Sequence, residues 1–363
     1  MRLAYPEGYY LQDRPSGGNA HIGQFITNAV ALGHEVWTYP PDEHPAARRM
    51  PTTRMGRLMA LRRMDAIYVR VEWSPPGACR WTSAPRRHLM GSPVNVWEFN
   101  TVPEQGLDLG RPESEIQKAI NEFRQYGRGC DLAICVSNAL TEYVRDNLGI
   151  KRVLTVPNGS DSDLFRPDVP PVFRVQTNPN LLNVVWMGSA NLAWHNTELL
   201  REAAQLLWER GEGDRVVFHI IGPGLKRMCD MPPNVNYYGP ERYEVIPRWL
   251  AAMDIGLCLY RPGSADYCSP LKLFDYMASG LVVVSTFQPQ VKEVFDKLGQ
   301  SNLLIPQNDA GALADVLLNL ATDHERVQRM GNAGRQLVID FYNWRRTVKD
   351  TIREIEIILE ERG

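Results

Sequence analysis

Short apolar runs of strand length alternate with amphipathic stretches of helix length along nearly the whole chain, the pattern of parallel sheets covered by crossover helices. In the first half the pattern predicts strands at 2–5, 35–39, 66–71, 94–99, 132–136 and 153–156, with helices at 19–32, 113–127 and 138–147 among them. The period lapses over 160–180, SDSDLFRPDVPPVFRVQTNPN, where prolines and polar residues mark a linker. It restarts with strands at 183–187, 216–221, 235–238, 255–259, 282–285 and 303–305. Beyond them Leu313, Val316, Leu317 and Leu320 fall at i, i+3, i+4 and i+7, and Val348, Ile352, Ile355 and Leu359 form a further stripe, so the tail is helical.

The expected class is α/β, in two successive units: a first Rossmann-like domain over 1–165, a linker over 166–181, a second over 182–344 and a final helix over 345–363. Ligands of doubly wound sheets bind beyond the carboxyl ends of the strands, so two such domains joined by one linker are expected to face each other across a cleft. Two substrates can meet there.

Composition narrows the field without changing this picture. With 44% hydrophobic and 23% charged residues the 363-residue chain is ordinary globular material, which removes disorder, collagen and coiled coil. No run approaches the ~18 consecutive apolar residues of a membrane span, and MRLAYPEGYYLQ lacks the marks of a secretory signal, so a cytoplasmic location is expected. The six cysteines form no CxxC pair, and the histidines, including His21, His195 and His219, show no metal spacing, so neither zinc nor a disulfide framework is indicated. The net charge of −2 hides an asymmetry, because residues 48–88 hold ten arginines against Asp65 and Glu72 only. With Met50, Met55, Leu58, Met59 and Leu61 interleaved, that segment reads either as peripheral contact with an anionic membrane at its inner face, or as steering of a phosphorylated acceptor, or as a solvated helix face with loop arginines. Nucleic acid fits poorly, since neither an aromatic RNA-binding motif nor an overall basic charge is present.

The segment richest in chemistry is DYCSPLKLFDYMASG, residues 266–280. Ser269 suits an N-cap, Pro270 the first helical position and Gly280 the end, which predicts a helix over 270–279. The amides of Leu271 and Lys272, the helix dipole and the Lys272 ammonium would converge on a phosphate or diphosphate. Asp275, at i+3 from Lys272, points to roughly the same face, where a carboxylate can accept from ribose hydroxyls; the plain alternative is a Lys–Asp pair on a helix surface. In RPSGGNAHIG, Gly17 and Gly18 would let backbone amides approach an anion or a sugar, although a Gly-Gly pair is more often a tight turn. Gly188, and Gly222 and Gly224 in IIGPG, close further strands. In VNVWEFNTVPEQ, alternation puts Glu98 and Asn100 on one side of a strand end, with Glu104 in the loop that follows. A surface salt bridge is the simpler reading of Glu104, helix capping that of Ser137 and Asn138, and packing or solvation that of His21, one helical turn beyond the glycine pair.

These motifs occur in a telling order: SGGNAHIGQFITNAVALGHEVWTY, CDLAICVSNALTEYV, VPNGSDSDLFRPD, VVWMGS, FHIIGPG, NVNYYGP, AAMDIGLCLY and SPLKLFDYMASG. Along almost its whole length the chain resembles the retaining nucleotide-sugar glycosyltransferases of the GT-B fold, the family 4-like group 1 enzymes. The resemblance implies two Rossmann-like domains facing across a cleft, a C-terminal helix returning to the N-terminal domain, a nucleotide-sugar donor in the C-terminal domain and an acceptor in the N-terminal one. It assigns donor binding to Gly17, Gly18, Gly188, Ser189, Gly222, Tyr243, Ser269, Leu271, Lys272 and Asp275. Acceptor binding falls to Glu98, Asn100 and Glu104, and catalysis to Lys272, Asp266 and Asn100. Lys272 would stabilise the leaving diphosphate, Asp275 would hold the ribose and the peptide near Tyr243 the base.

The sequence departs from that pattern in three places. Tyr267 stands where an acid is usual, with Asp266 beside it; Ser189 and Trp194 stand where Arg and Lys are common; and Asn100 replaces a histidine near the sugar. Arg261 or Arg227 could restore the missing charge, or the Ser-Pro-Leu-Lys helix could act without it. The resemblance therefore implies transfer of a sugar from a nucleotide diphosphate to a glycan, small-molecule or lipid-linked hydroxyl acceptor with retention, no cofactor and no obligatory metal. A nucleotide-sugar 2-epimerase-like isomerase and an inactive GT-B binding protein are the alternatives.

Overall fold

The computed structural model describes residues 1–6, 16–39, 42–83, 92–172, 181–225 and 231–363. It divides into two compact units: Met1–Asn158 with Tyr267–Ser269 and Trp344–Gly363, and Gly159–Asp266 with Pro270–Asn343. Among the described residues no helix is long and apolar enough to cross a membrane.

In the first unit, β1 (Arg2–Tyr5), β2 (Glu35–Thr38), β3 (Arg48–Arg49), β4 (Ala66–Val71), β5 (Val94–Phe99), β6 (Leu132–Cys135) and β7 (Val153–Thr155) form one parallel sheet in the order β3-β2-β1-β4-β5-β6-β7. The central strands are buried on both faces because helices cover each side, which is why β5 reads as an unbroken apolar run apart from Asn95 and Glu98. Strand order reverses between β1 and β4, the position where open α/β sheets bind ligands. The final helix, Trp344–Arg362, packs on the helix Gly17–Ala31 and against β5, burying Val348, Ile352, Ile355 and Ile358.

In the second unit, β8 (Leu182–Met187), β9 (Val216–Ile221), β10 (Val235–Gly239), β11 (Ile255–Cys258), β12 (Val282–Thr286) and β13 (Leu304–Ile305) form a second parallel sheet, ordered β10-β9-β8-β11-β12-β13. Its switch point lies between β8 and β11. Trp186, Phe218, Phe274, Tyr276 and Phe295 fill the core, and Phe165, from the stretch of low periodicity, is fully buried among them. Residues 173–180 of that stretch lie outside the described residues.

Every strand expected from periodicity is present, with ends differing by a residue or two. The pattern missed β3, a two-residue edge pairing in the arginine-rich segment, because two consecutive arginines carry no hydrophobic period. It also missed the short helices Arg54–Leu61 and Gly77–Thr82.

Candidate functional site

In the second unit the helix Leu271–Ala278 is fixed by Tyr276. Its ring lies over Gly256 of β11, where a Cβ would stand 2.3 Å from ring carbon Cδ2, and its hydroxyl accepts from the Met187 amide at 2.8 Å. Lys272, four residues earlier and so on the same helical face, is thereby brought to the end of β8.

Lys272 is 9% exposed, and its Nζ lies 4.6 Å from the Trp186 ring centroid, 5.3 Å from that of Tyr260 and 3.3 Å from His195 Nε2. The aromatic faces attract the ammonium, yet among the described residues no carboxylate pairs with it. Burial lowers its pKa to about 8. His195 Nδ1 donates to the Ser189 carbonyl at 2.8 Å, which leaves the Nε2 lone pair facing Lys272. Burial, followed by the Lys272 charge, lowers the imidazole pKa to about 3, so the ring is neutral. The tautomer follows from these two partners, since a carbonyl only accepts and an ammonium only donates.

Gly188 completes this corner. Its φ is +148°, and a Cβ there would stand 3.0 Å from Lys272 Nζ and 3.1 Å from His195 Cε1. Lys272 Nζ and the Cε1 edge of the His195 ring therefore both face the glycine. Gly222, expected at the donor, packs tightly on its neighbour: a Cβ on it would lie 2.0 Å from the Gly188 carbonyl oxygen, with φ at +135°. It lets two strand ends pack.

Ser269 does not cap the helix. Pro270 occupies the N-cap position and makes no side-chain capping bond, while Ser269 Oγ accepts from the Asn158 amide at 3.1 Å and its carbonyl accepts from Asn158 Nδ2 at 2.8 Å. The amides of Leu271 and Lys272 thus begin a helix without a side-chain cap, the arrangement that attracts an anion. Asp275 diverges from Lys272 instead of sharing its face, and no ion pair joins them. Its Oδ1 accepts from Ser160 Oγ at 2.6 Å, and burial lifts its pKa to about 7 against that hydrogen bond. Gly159 and Ser160 are pinned against Tyr342 and Asn343, and Arg335 clasps the carbonyls of Ser162, Phe165 and Ala278, so the Ser160 hydroxyl is held in place. Tyr243 begins the short 3-10 turn Tyr243–Val245 and meets Phe165 edge-on at 5.4 Å; its phenol is shifted well upward by burial and then by Asp275.

Asp266 turns onto its own loop, where Oδ2 accepts from the Gly263 amide at 3.2 Å. Arg261 reaches Asn196 Oδ1 at 3.4 Å, and Arg227 lies outside the described residues, as do Arg86 and Arg87.

In the first unit Gly17 and Gly18 form the first turn of the helix Gly17–Ala31, two residues earlier than expected, because Ser16 caps it by accepting from the Asn19 amide. A Cβ on Gly18 would meet nothing within 4 Å. Glu98 is 1% exposed and sits at the centre of a buried polar cluster. Arg70 Nη1 donates to its Oε1 at 2.8 Å, Asn100 Nδ2 at 2.6 Å and His21 Nε2 at 3.0 Å, while Tyr68 Oη donates to Oε2 at 2.6 Å. Although burial opposes the charge, these donors hold the carboxyl well below its ordinary range. A carboxylate only accepts, so Asn100 must present Nδ2 to Glu98, and its Oδ1 is left to accept from another group. Glu98 is therefore occupied by protein donors, and Asn100 is the half-buried group of the pair.

Among the described residues Glu104 forms no salt bridge; both its oxygens accept from Tyr143 Oη at 2.8 Å. Ser137 does cap the helix Asn138–Leu148, and its hydroxyl also donates to the Tyr267 carbonyl at 2.6 Å. Sequence reasoning missed Ser160, Arg70 and Tyr68 altogether and gave His195 no role. The only local signal for His195 was its place shortly after the glycine that ends β8.

Residues 182–323 match the glycosyl transferases group 1 family. A GDP-mannose-dependent alpha-(1-6)-phosphatidylinositol monomannoside mannosyltransferase of Mycobacterium tuberculosis is 21% identical over 371 residues, covering 91% of this chain and 92% of the relative. Among solved structures, sucrose-phosphate synthase from Thermosynechococcus elongatus superposes with TM-score 0.70 at 15% identity, over 99% of this chain and 100% of that one. Anabaena HepE in complex with UDP and glucose gives 0.69 at 14%, over 98% and 99%, and WaaG, a glycosyltransferase involved in lipopolysaccharide biosynthesis, gives 0.67 at 14%, over 96% and 99%. The fold is α/β of the GT-B kind.

Proposed function

We propose, from the match of residues 182–323 to the glycosyl transferases group 1 family, that the chain moves a sugar from a nucleotide-diphosphate donor to a hydroxyl acceptor with retention of configuration. The observation that carries this reading is Lys272: a buried ammonium without a carboxylate partner, opening beside Gly188 at the start of a helix without a side-chain cap. Such a cation favours an anion, and a diphosphate supplies one.

In this reading Lys272 and the amides of Leu271 and Lys272 bind the diphosphate and stabilise the charge that develops as the bond from sugar C1 to phosphate oxygen breaks. The acceptor oxygen forms the new bond to C1 on the same face, through a short-lived oxocarbenium-like ion pair, and its proton passes to the departing diphosphate. Asp275 takes the ribose hydroxyls, Tyr243 lies toward the base, and no metal is required. Asn100 Oδ1 accepts from a hydroxyl of the sugar or of the acceptor, with Glu98 as the residue that orients it.

A lipid-linked acceptor is the favoured class. The mycobacterial relative's name specifies a phosphatidylinositol monomannoside. On the helix Arg54–Leu61, Met55 and Met59 are 68% and 54% exposed, and Arg48, Arg49, Arg54, Arg57, Arg62 and Arg63 lie on or near it. Apolar tips within a basic patch suit an anionic bilayer surface.

The test is incubation of the protein with UDP- and GDP-sugars and a panel of phosphatidylinositol glycosides, with free nucleoside diphosphate and glycosylated lipid measured together. Stoichiometric release of both supports the reading. Interconversion of nucleotide sugars without acceptor would replace it with the epimerase.

A further inference from the structure

This inference rests on the reading of Lys272 as the seat of the donor diphosphate. We propose that His195 is a second, conditional cation of that seat: neutral, it holds the Lys272 ammonium through Nε2, and when a nucleotide-sugar diphosphate arrives it takes one proton from solvent and donates it from Nε2 to a phosphate oxygen.

The geometry limits where that proton can go. Nδ1–H is committed to the Ser189 carbonyl at 2.8 Å, a partner that only accepts, so an added proton must sit on Nε2. Nε2 is 3.3 Å from Lys272 Nζ, and in the empty site a proton there would set two cationic donors against each other. Among the described residues, few groups face His195. Lys272 comes from the helix Leu271–Ala278, and the Tyr260 ring from beyond β11 at 5.6 Å. Trp186 of β8 and Trp194 meet it edge-on and do not ionise. Arg261 is turned to Asn196, and among the described residues no carboxylate favours the imidazolium. A bound anion would.

The diester diphosphate of a nucleotide sugar carries two negative charges against the single ammonium of Lys272, which leaves one charge for a second partner. Gly188 leaves both Nζ and the His195 ring open to the same point, since one Cβ would reach both within 3.1 Å. Once the anion has drawn the Lys272 ammonium, Nε2 no longer needs to accept from it, and protonation makes it a charge-assisted donor. Binding and proton uptake are then linked, and affinity rises by up to about tenfold for each unit of falling pH while the free imidazole is neutral.

The experiment is calorimetric titration of the protein with UDP-glucose and with GDP-mannose, without acceptor, near pH 7 in two buffers of different protonation enthalpy. The wild type is expected to take up about one proton more per site than His195→Gln, whose side-chain carbonyl can still accept from Lys272 but cannot titrate. A second measurement needs no variant: with 15N-labelled histidine rings, Nε2 of His195 moves from the neutral to the imidazolium range on binding. Binding with equal proton uptake in both proteins, and a ring that stays neutral, overturns the role of His195 and leaves that of Lys272 standing. If neither nucleotide sugar binds at millimolar concentration, the reading of Lys272 fails and this inference fails with it.

Discussion

The hydroxyl of Ser160 donates to Asp275 Oδ1 at 2.6 Å across 115 residues of sequence, and it is the hydrogen bond that works against burial to keep this carboxyl from rising further. Because the pKa of Asp275 is raised to about 7 from an unfolded value near 3.8, the folded protein binds the extra proton between those limits. Stability contributed by the protonated form is complete below about pH 4 and is lost as pH rises through about 7, a change of up to about 4 kcal/mol. Asp275→Asn should flatten the dependence of Tm on pH in that window. Ser160→Ala should move its upper end higher. A wild-type profile with no downward slope between pH 4 and 7 would show that Asp275 ionises normally.

Gly222 and Gly18 should respond in opposite ways to the same methyl group. Gly222→Ala drives a Cβ toward the Gly188 carbonyl at a positive φ and should destabilise by about 3 kcal/mol or more, read as a lower midpoint in urea. Gly18→Ala meets open space and should leave the midpoint within about 0.5 kcal/mol, so any loss of activity there reports on ligand approach.

Glu98 holds four donors, and Glu98→Ala would strand the mostly buried Arg70 guanidinium, at a cost of about 3 kcal/mol. Asn100→Ala removes only one donor and leaves the carboxylate paired with Arg70. It should preserve the unfolding midpoint and reduce transfer; a variant that unfolds as readily as Glu98→Ala would make Asn100 a stability residue.

Met55→Asp with Met59→Asp should lower co-sedimentation with vesicles containing phosphatidylinositol by about tenfold, and raising the salt concentration should weaken the wild type. Binding that is indifferent to both would remove the membrane-facing role of the helix Arg54–Leu61.

The sheets were legible because fully buried parallel strands leave apolar runs that stand out: Val94–Phe99 and Val216–Ile221 were read to the residue. The helix that carries Lys272 was legible as well, since a helix start after Ser-Pro is local information. What was not legible depends on contacts across long separations. His195 meets Lys272 over 77 residues and Ser160 meets Asp275 over 115, and neither pair leaves a trace in spacing. Ser269 was misread as a cap because local preference favours it, whereas the fold uses its hydroxyl for the amide of Asn158. Glu98 and Asn100 were correctly placed on one side of β5, but alternation cannot say that Tyr68, Arg70 and His21 saturate the carboxylate.

The most direct test of the central claim is the change in melting temperature with UDP, GDP, ADP, dTDP and CDP and their sugar conjugates, in the wild type and in Lys272→Ala. A ligand that binds only the native state raises the melting temperature. The account predicts a selective rise with one nucleotide and its conjugates, and loss of that rise in Lys272→Ala, which should itself remain folded because a buried ammonium without a carboxylate partner among the described residues is gone. An equal rise in both proteins would contradict it.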